Sequence, residues 1–122
     1  MVDLKGQYAS IKPLIDDAIM NVISSTQFIN GPEVKAFQKE LANYLGVKHV
    51  ITCGNGTDAL TMSLKILNLP RKSEVLIPAM TYCSTAFAVI NANLKPVLID
   101  IEGDSPNMDL NLIKKKITKN TR

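Results

Sequence analysis

The chain has 122 residues, with 14 basic and 11 acidic side chains and a net charge of +3, which is the size of one ordinary domain with a single core. Apolar residues make up 46% and charged residues 20%, a composition typical of globular rather than disordered proteins. The basic residues are scattered except for a short run at Lys114–Lys116, so the charge pattern does not indicate a nucleic-acid-binding protein.

The cysteines and the N-terminal segment give no indication of a metal-binding, disulfide-rich, secreted or membrane-spanning protein. Cys53 and Cys83 have no Cys-x-x-Cys spacing and only His49 to accompany them, so neither a zinc site nor a disulfide framework is indicated. We expect both thiols to be small core residues near turns. The chain begins without the apolar core of a signal peptide, and no apolar run approaches the ~20 residues of a membrane span. A soluble, cytoplasmic protein is therefore expected.

Two helices are predicted in the first part of the chain, residues 1–46. Apolar residues recur at three- and four-residue spacing over 11–23, which predicts an amphipathic helix with Pro13 in its first turn. Pro32 predicts the start of a second helix, because proline is favoured at the first helical position. Gly46 is expected to end that helix in a left-handed conformation.

From residue 47 onward the pattern alternates between strands and helices. Short β-prone runs predict strands at 49–53, 75–77 and 96–100. The segments between them, 57–68 and 81–91, are apolar on most sides and predict helices buried against a sheet. This alternation is typical of an α/β fold, in which a mainly parallel sheet with right-handed crossovers lies between helices in a three-layer α/β/α sandwich.

A last helix completes this β-α-β-α-β-α unit, which covers 47–122. Asp109 is predicted to cap it, and its apolar residues, from Leu110 to Ile117, are expected to face inward. We interpret the whole chain, 1–122, as one domain. A parallel sheet of three apolar strands has open edges and a poorly covered face, so the domain is expected to be incomplete, with the missing part downstream.

The strongest chemical feature is a glycine-rich turn between the first predicted strand and the next helix, with the sequence Cys53-Gly54-Asn55-Gly56-Thr57-Asp58-Ala59-Leu60. Backbone N–H groups and the positive end of the helix dipole converge there on a position suited to a phosphate. The Thr57 hydroxyl can donate one more hydrogen bond. Asp58 suits the dipole but repels a phosphate unless its carboxylate points away.

The residues alone leave an alternative open for this turn. It lacks the Gly-Lys-Ser/Thr of a nucleotide P-loop, and Ala59 departs from the dinucleotide pattern GxGxxG. A tight turn that uses glycine only for its geometry therefore remains possible on this sequence. In an open α/β sheet, however, ligands bind at the carboxyl ends of the strands, where this turn is predicted.

Several motifs follow one another in a defined order along the chain. They are Phe28-Ile29-Asn30-Gly31-Pro32-Glu33-Val34, Phe37, Leu41, Tyr44-Leu45-Gly46, Asn55-Gly56-Thr57-Asp58-Ala59-Leu60, Ile77-Pro78-Ala79-Met80-Thr81-Tyr82 and Pro96-Val97-Leu98-Ile99-Asp100. In this order they resemble the start of the DegT/DnrJ/EryC1/StrS family, which are sugar aminotransferases of the aspartate-aminotransferase fold. The resemblance covers the chain from about its first residue to its end. It implies the N-terminal part of the large domain of a fold type I pyridoxal-phosphate enzyme.

The resemblance implies a cofactor, pyridoxal 5'-phosphate, and residues that bind it. Gly56 and Thr57 match the family positions that hold the cofactor phosphate through backbone and hydroxyl, with Asn55 and Asp58 alongside them. Tyr82 matches the aromatic position whose ring lies over the pyridine ring, an arrangement suited to offset stacking. Without the resemblance, Tyr82 would be interpreted as an ordinary half-buried aromatic residue at a helix start.

The resemblance also implies an activity, which is amino transfer from an amino acid, such as glutamate, to a nucleotide-linked keto-sugar by a homodimer. The chemistry of the family depends on a Schiff-base lysine and on an acidic residue at the pyridine nitrogen. Both are expected beyond residue 122, so we assign no catalytic residue here and expect the chain alone to be inactive. A sugar dehydratase of the same family, an inactive remnant or binding module, and a small phosphate-binding α/β protein remain alternatives.

Overall fold

The structure is a computed structural model that describes residues 2–122, so Met1 of the predicted helical pair lies outside the described residues. The chain divides into two compact units, one ending at Thr52 and the other running from Cys53 to Arg122. Among the described residues, no helix combines the length and the apolar character that crossing a bilayer requires.

The first unit contains two helices, α1 (Leu4–Ser25) and α2 (Pro32–Leu45). Helix α1 begins earlier than the apolar pattern predicts, because the Asp3 side chain caps it by accepting a hydrogen bond from the Gly6 amide at 3.0 Å. Pro13 therefore lies inside the helix, and its predicted position in the first turn is wrong. A proline there removes one backbone donor from the helix.

Both predicted ends of α2 are confirmed. Pro32 occupies the first helical position, and Gly46 caps the C-terminus with φ 66° in the left-handed region. The next amide, of Val47, donates to the Ala42 carbonyl at 3.0 Å. Local cap chemistry thus fixes both ends of this helix.

The first predicted strand, 49–53, is absent from the described residues, which is a correction. A strand needs the backbone of a neighbour to satisfy its N–H and C=O groups, and no described residue forms a ladder with this segment. A side chain holds it instead, since Gln38 Nε2 donates to Thr52 Oγ1 at 3.1 Å. The β-prone composition of the segment could not supply a pairing partner.

The second unit contains α3 (Gly56–Ile66), β1 (Glu74–Pro78), α4 (Ser84–Asn91), β2 (Lys95–Ile99) and α5 (Leu110–Lys116). Strands β1 and β2 are parallel, with α4 between them in the chain, so the predicted α/β class with a parallel sheet is confirmed. The Asp109 side chain accepts hydrogen bonds from the amides of Asn111 and Leu112, which confirms the predicted cap of the last helix. Helix α4 begins three residues later than predicted, after bends that follow β1.

A short segment beyond α5 lies along the outer edge of β1. Thr121 forms a parallel bridge with Glu74. The Glu74 amide donates to the Asn120 carbonyl at 2.9 Å, and the Arg122 amide donates to the Glu74 carbonyl at 3.0 Å. The second and third predicted strands, 75–77 and 96–100, are thus confirmed as β1 and β2, which form a two-stranded sheet among the described residues.

The Glu74 side chain links three parts of the second unit. It accepts a hydrogen bond from Thr118 Oγ1 at 2.6 Å and another from Lys95 Nζ at 2.9 Å. Donation by Thr118, followed by donation and charge from Lys95, lowers the pKa of this carboxyl below its ordinary value. The buried carboxylate therefore joins the start of β1 to β2 and to the segment after α5.

The core of the second unit is small. Ile77, Val89 and Leu94 form its centre. Helix α3 packs chiefly against α4 rather than against the sheet as predicted, and Thr61 is its only buried residue. Several apolar residues of α3 therefore remain exposed, including Leu60 and Ile66.

Candidate functional site

The glycine-rich turn forms the entry to α3 and is held by two of its own side chains. Asn55 has extended backbone and caps the helix, since its Oδ1 atom accepts a hydrogen bond from the Asp58 amide at 2.9 Å. Its Nδ2 atom donates to Asp58 Oδ2, also at 2.9 Å. These two bonds fix the turn from both sides, in the manner of a reciprocal helix cap.

The first two amides of α3 remain available to a ligand. Among the described residues, no acceptor takes a hydrogen bond from the N–H groups of Gly56 and Thr57 or from the Thr57 hydroxyl. The third amide, of Asp58, is used by the cap. Two free N–H groups at the positive end of a helix form an arrangement that favours an anion.

Gly56 has an open space where a side chain would stand. A Cβ atom added there meets nothing within 4 Å, and the residue is outside the left-handed region of backbone conformation. Neither backbone conformation nor crowding within the described chain therefore requires glycine at this position. Glycine at this position does allow a ligand to approach the backbone closely.

The presence of glycine at residue 54 has a different explanation, which is the nearby carboxylate of Asp58. A Cβ atom at residue 54 would stand 3.1 Å from Asp58 Oδ2, which is tighter than an ordinary contact. The Asp58 carboxylate thus lies beside Gly54 and bonds to Asn55. The sequence alone did not determine the orientation of the Asp58 carboxylate. In the observed orientation, the carboxylate accepts no hydrogen bond from the amides of Gly56 and Thr57.

Tyr82 lies just before α4, the helix that packs against α3. Tyr82 is 78% exposed, so it is not the half-buried aromatic residue that the isolated sequence would indicate. Its carbonyl accepts a hydrogen bond from the Thr85 amide at 3.0 Å. No hydrogen bond among the described residues joins Tyr82 to the turn at Gly56, and the ring is free to stack on a ligand.

The two cysteines do not belong to the core, which corrects their prediction. Cys53 and Cys83 are both exposed free thiols. The Cys53 thiol donates to the Asn55 carbonyl at 3.4 Å, at the base of the glycine-rich turn. Cys83 precedes the first residue of α4. Both residues precede a helix and do not lie on its packed face.

A family model of the DegT/DnrJ/EryC1/StrS aminotransferases matches residues 9–122. The chain belongs to this family. The match includes both the turn at Gly56 and the exposed Tyr82. It extends over α2 and the whole second unit, so the family relation does not depend on one motif.

Relatives and solved structures agree with the family match. The chain is 40% identical over 121 residues to the UDP-2-acetamido-2-deoxy-3-oxo-D-glucuronate aminotransferase of Pseudomonas aeruginosa, covering 99% of this chain and 34% of that protein. The structure of Streptomyces venezuelae DesV in complex with a ketimine intermediate superposes with a TM-score of 0.90 at 34% identity, covering 98% of this chain and 32% of the other.

A third comparison is with a protein solved in its pyridoxal-phosphate form. The sugar aminotransferase Spr1654 of Streptococcus pneumoniae, described as putative, has a TM-score of 0.77 and 28% identity, covering 85% of this chain and 27% of that protein. The chain thus spans about a third of the length of the family members that it matches.

Proposed function

We propose that this chain is the cofactor-phosphate-binding part of a pyridoxal-phosphate-dependent aminotransferase that acts on nucleotide-linked keto-sugars, with an amino acid as amino donor. The observation that carries the proposal is the pair of free amides at Gly56 and Thr57 beneath an open space at the start of α3. A phosphate monoester fits such a site, because it offers several strong acceptor oxygens to convergent N–H donors.

Each residue of the site has its own role in the proposal. The amides of Gly56 and Thr57 and the Thr57 hydroxyl hold the phosphate. Asn55 and Asp58 lie alongside and keep the turn in its binding geometry through their two mutual hydrogen bonds. The ring of Tyr82 covers one face of the pyridine ring. When bound, the cofactor supplies an electron sink for moving an amino group between two carbon skeletons.

The substrate class and the assembly are extended from the family. The Pseudomonas relative is named for a UDP-linked 3-oxo sugar acid and for amino transfer, which supports a nucleotide-linked keto-sugar as substrate. We also propose that the chain forms an incomplete, N-terminal part of the large domain, and that the whole enzyme is a cytoplasmic homodimer. The lysine and acid of the family chemistry would then come from outside residues 1–122.

The test compares ligands that differ only in the phosphate. Pyridoxamine 5'-phosphate is titrated into ¹⁵N-labelled chain and the amide resonances are followed, because the amine form cannot react with surface lysines as the aldehyde would. We expect the Gly56 and Thr57 resonances to move and then saturate, while pyridoxamine without phosphate leaves them in place. Equal shifts with both ligands, or no shift at these two amides, would contradict the proposal.

A variant at Tyr82 tests the second contact. Tyr82→Leu removes the aromatic face but leaves the turn intact. We expect it to weaken pyridoxamine 5'-phosphate binding by about 3- to 10-fold, in line with the loss of one aromatic pair, and to leave the binding of inorganic phosphate unchanged. An unchanged affinity for pyridoxamine 5'-phosphate would remove Tyr82 from the site.

A further inference from the structure

The dipeptide Asn55-Gly56 brings together two groups that react with each other in proteins. The backbone nitrogen that follows an asparagine can attack the side-chain carbonyl carbon of that asparagine. Glycine in the second position hinders this attack least, because it has no Cβ atom. Asn55 and Gly56 are both exposed, so water also reaches the pair.

The Gly56 nitrogen is not restrained by a hydrogen bond. Gly56 is the first residue of α3, and the first amides of a helix have no carbonyl one turn earlier to receive them. Among the residues that the structure describes, no other acceptor takes a hydrogen bond from this N–H group. The nitrogen is therefore free to lose its proton and to act as a nucleophile toward the neighbouring side chain.

The Asn55 side chain, in contrast, is held at both of its polar atoms by Asp58. Its Oδ1 atom accepts a hydrogen bond from the Asp58 amide, and its Nδ2 atom donates to Asp58 Oδ2, each at 2.9 Å. The attack requires Asn55 Cγ to turn toward the Gly56 nitrogen and Nδ2 to leave, and both movements break these bonds. Hydrogen bonds that are present before a reaction and absent in its transition state slow the reaction.

We propose that Asn55 is a site of spontaneous deamidation and that the Asp58 carboxylate controls its rate. The Gly56 nitrogen forms a bond to Asn55 Cγ, the Cγ–Nδ2 bond breaks, and Nδ2 leaves as ammonia with the proton of the Gly56 amide. Water then opens the resulting cyclic imide at either of its carbonyl carbons, which gives aspartate or isoaspartate at residue 55. Water is the only co-reactant. No step requires a bound phosphate, so the inference does not rest on the proposed function.

The conversion would change the start of α3. The product lacks the Nδ2 donor and brings a second carboxylate beside that of Asp58, where the two charges repel each other. Isoaspartate also lengthens the backbone of the turn by one methylene group. Either product weakens the reciprocal cap, so the rate of deamidation limits how long the turn keeps its geometry. Asp58 thus preserves the turn chemically as well as structurally.

The test is incubation of the folded chain at neutral pH, followed by trypsin digestion and mass spectrometry, which resolves the carboxyl product from the amide. We expect conversion at Asn55 in the unaltered chain. Asp58→Ala should accelerate it by about five-fold, the factor that corresponds to one ordinary hydrogen bond. Asp58→Asn should convert at close to the rate of the unaltered chain, because its side-chain oxygen can still accept from Asn55 Nδ2. Circular dichroism checks that the variants are folded.

The chain contains its own matched control, the dipeptide Asn30-Gly31. It belongs to the unit that ends at Thr52, and lysines between the two dipeptides place them in separate tryptic peptides. Asn30 should convert at one rate in all three chains.

Urea provides a test of the restraint that needs no substitution. In urea the hydrogen bonds to Asp58 are lost, so Asn55 of the unaltered chain should convert faster than in the folded chain and as fast as in unfolded Asp58→Ala. The proposal is overturned if Asn55 keeps its amide even in urea, or if folded Asp58→Ala shows no acceleration. It is overturned also if Asn30 accelerates equally in that variant, or if the difference between Asp58→Ala and the unaltered chain persists in urea.

Discussion

Gly54 and Gly56 stand two residues apart in one turn, yet different neighbours account for them. A side chain at residue 54 would press on the Asp58 carboxylate, whereas one at residue 56 would meet only open space. Residue 56 is moreover the first residue of α3, where alanine is at least as good a helix former as glycine. Packing within the described residues therefore does not account for the glycine at 56, whereas the proposed phosphate ligand would.

Replacing Gly56 separates these two explanations. Gly56→Ala is expected to leave the free energy of unfolding unchanged or to raise it by up to about 1 kcal/mol, because glycine loses more backbone entropy on folding. The new methyl group over the amides should weaken pyridoxamine 5'-phosphate binding by about ten-fold or more. Urea unfolding measures the first quantity, and titration followed by amide resonances measures the second.

Gly103 offers the matched control for that substitution. Its backbone has φ 50°, so Gly103→Ala should destabilise the chain by about 1 kcal/mol and leave cofactor affinity unchanged. The interpretation of Gly56 fails if Gly56→Ala binds pyridoxamine 5'-phosphate as tightly as the unaltered chain. It fails also if Gly56→Ala lowers the free energy of unfolding by as much as Gly103→Ala is expected to lower it.

At the level of residues, the sequence predicted the glycine-rich turn but not the solvent exposure of the two cysteines. The free amides of Gly56 and Thr57 follow from a helix start, which is a local property that a sequence can reveal. The exposure of Cys53 and Cys83 depends on what packs over them, which the neighbouring residues in the chain do not specify. A pocket beside α2 was missed for the same reason, because Lys35 and Lys48, which both line it, come together only when the chain turns back at Gly46.

Among the elements, the capped helices and the strands β1 and β2 were predicted from the sequence, whereas the predicted strand 49–53 was wrong. Pro32 and Gly46 mark the ends of α2, and Asp109 marks the start of α5. Each of these signals acts within one turn of helix. The segment 49–53 has strand-like composition, but pairing requires a second chain segment at the right place. β-Propensity alone carries no information on that partner.

The link from Glu74 to β2 and to the last segment makes the stability of the second unit depend on pH. The folded-state pKa of Glu74 lies below its ordinary value of 4.5, so its contribution to the free energy of unfolding is fully present above that value. The contribution is lost as the pH falls through the lowered pKa, when the folded state takes up the proton. We expect stability to decline from about pH 5 downward.

Glu74→Gln isolates this contribution. The variant should be less stable than the unaltered chain at pH 7, and the difference between the two should shrink as the pH falls below 4.5. Urea unfolding at a series of pH values measures it. Asp104→Asn serves as the control, since Asp104 is an exposed carboxyl in the loop after β2. A difference between Glu74→Gln and the unaltered chain that stays constant across the series would show that the link does not depend on the charge of Glu74.

At the scale of the whole molecule, the proposed function separates the residues that bind the cofactor from the residues that react. The chain spans about a third of the length of its family members, and the site built from its described residues offers hydrogen-bond donors and an exposed ring. Large apolar side chains also remain exposed in both units, including Leu14 and Ile66. Exposed apolar surface of this kind is typical of a part that packs against further structure.

We therefore expect binding without turnover from the isolated chain. With pyridoxal 5'-phosphate, glutamate and a nucleotide-linked keto-sugar, the chain should release no 2-oxoglutarate above the rate of free cofactor, because the positioned lysine and acid of the family chemistry are not among the residues assigned here. A full-length family member provides the positive control, and the Gly56→Ala variant provides the negative one. Turnover that exceeds free cofactor and disappears in Gly56→Ala would mean that the chain holds its own reactive groups, and the division between binding and chemistry would then be wrong.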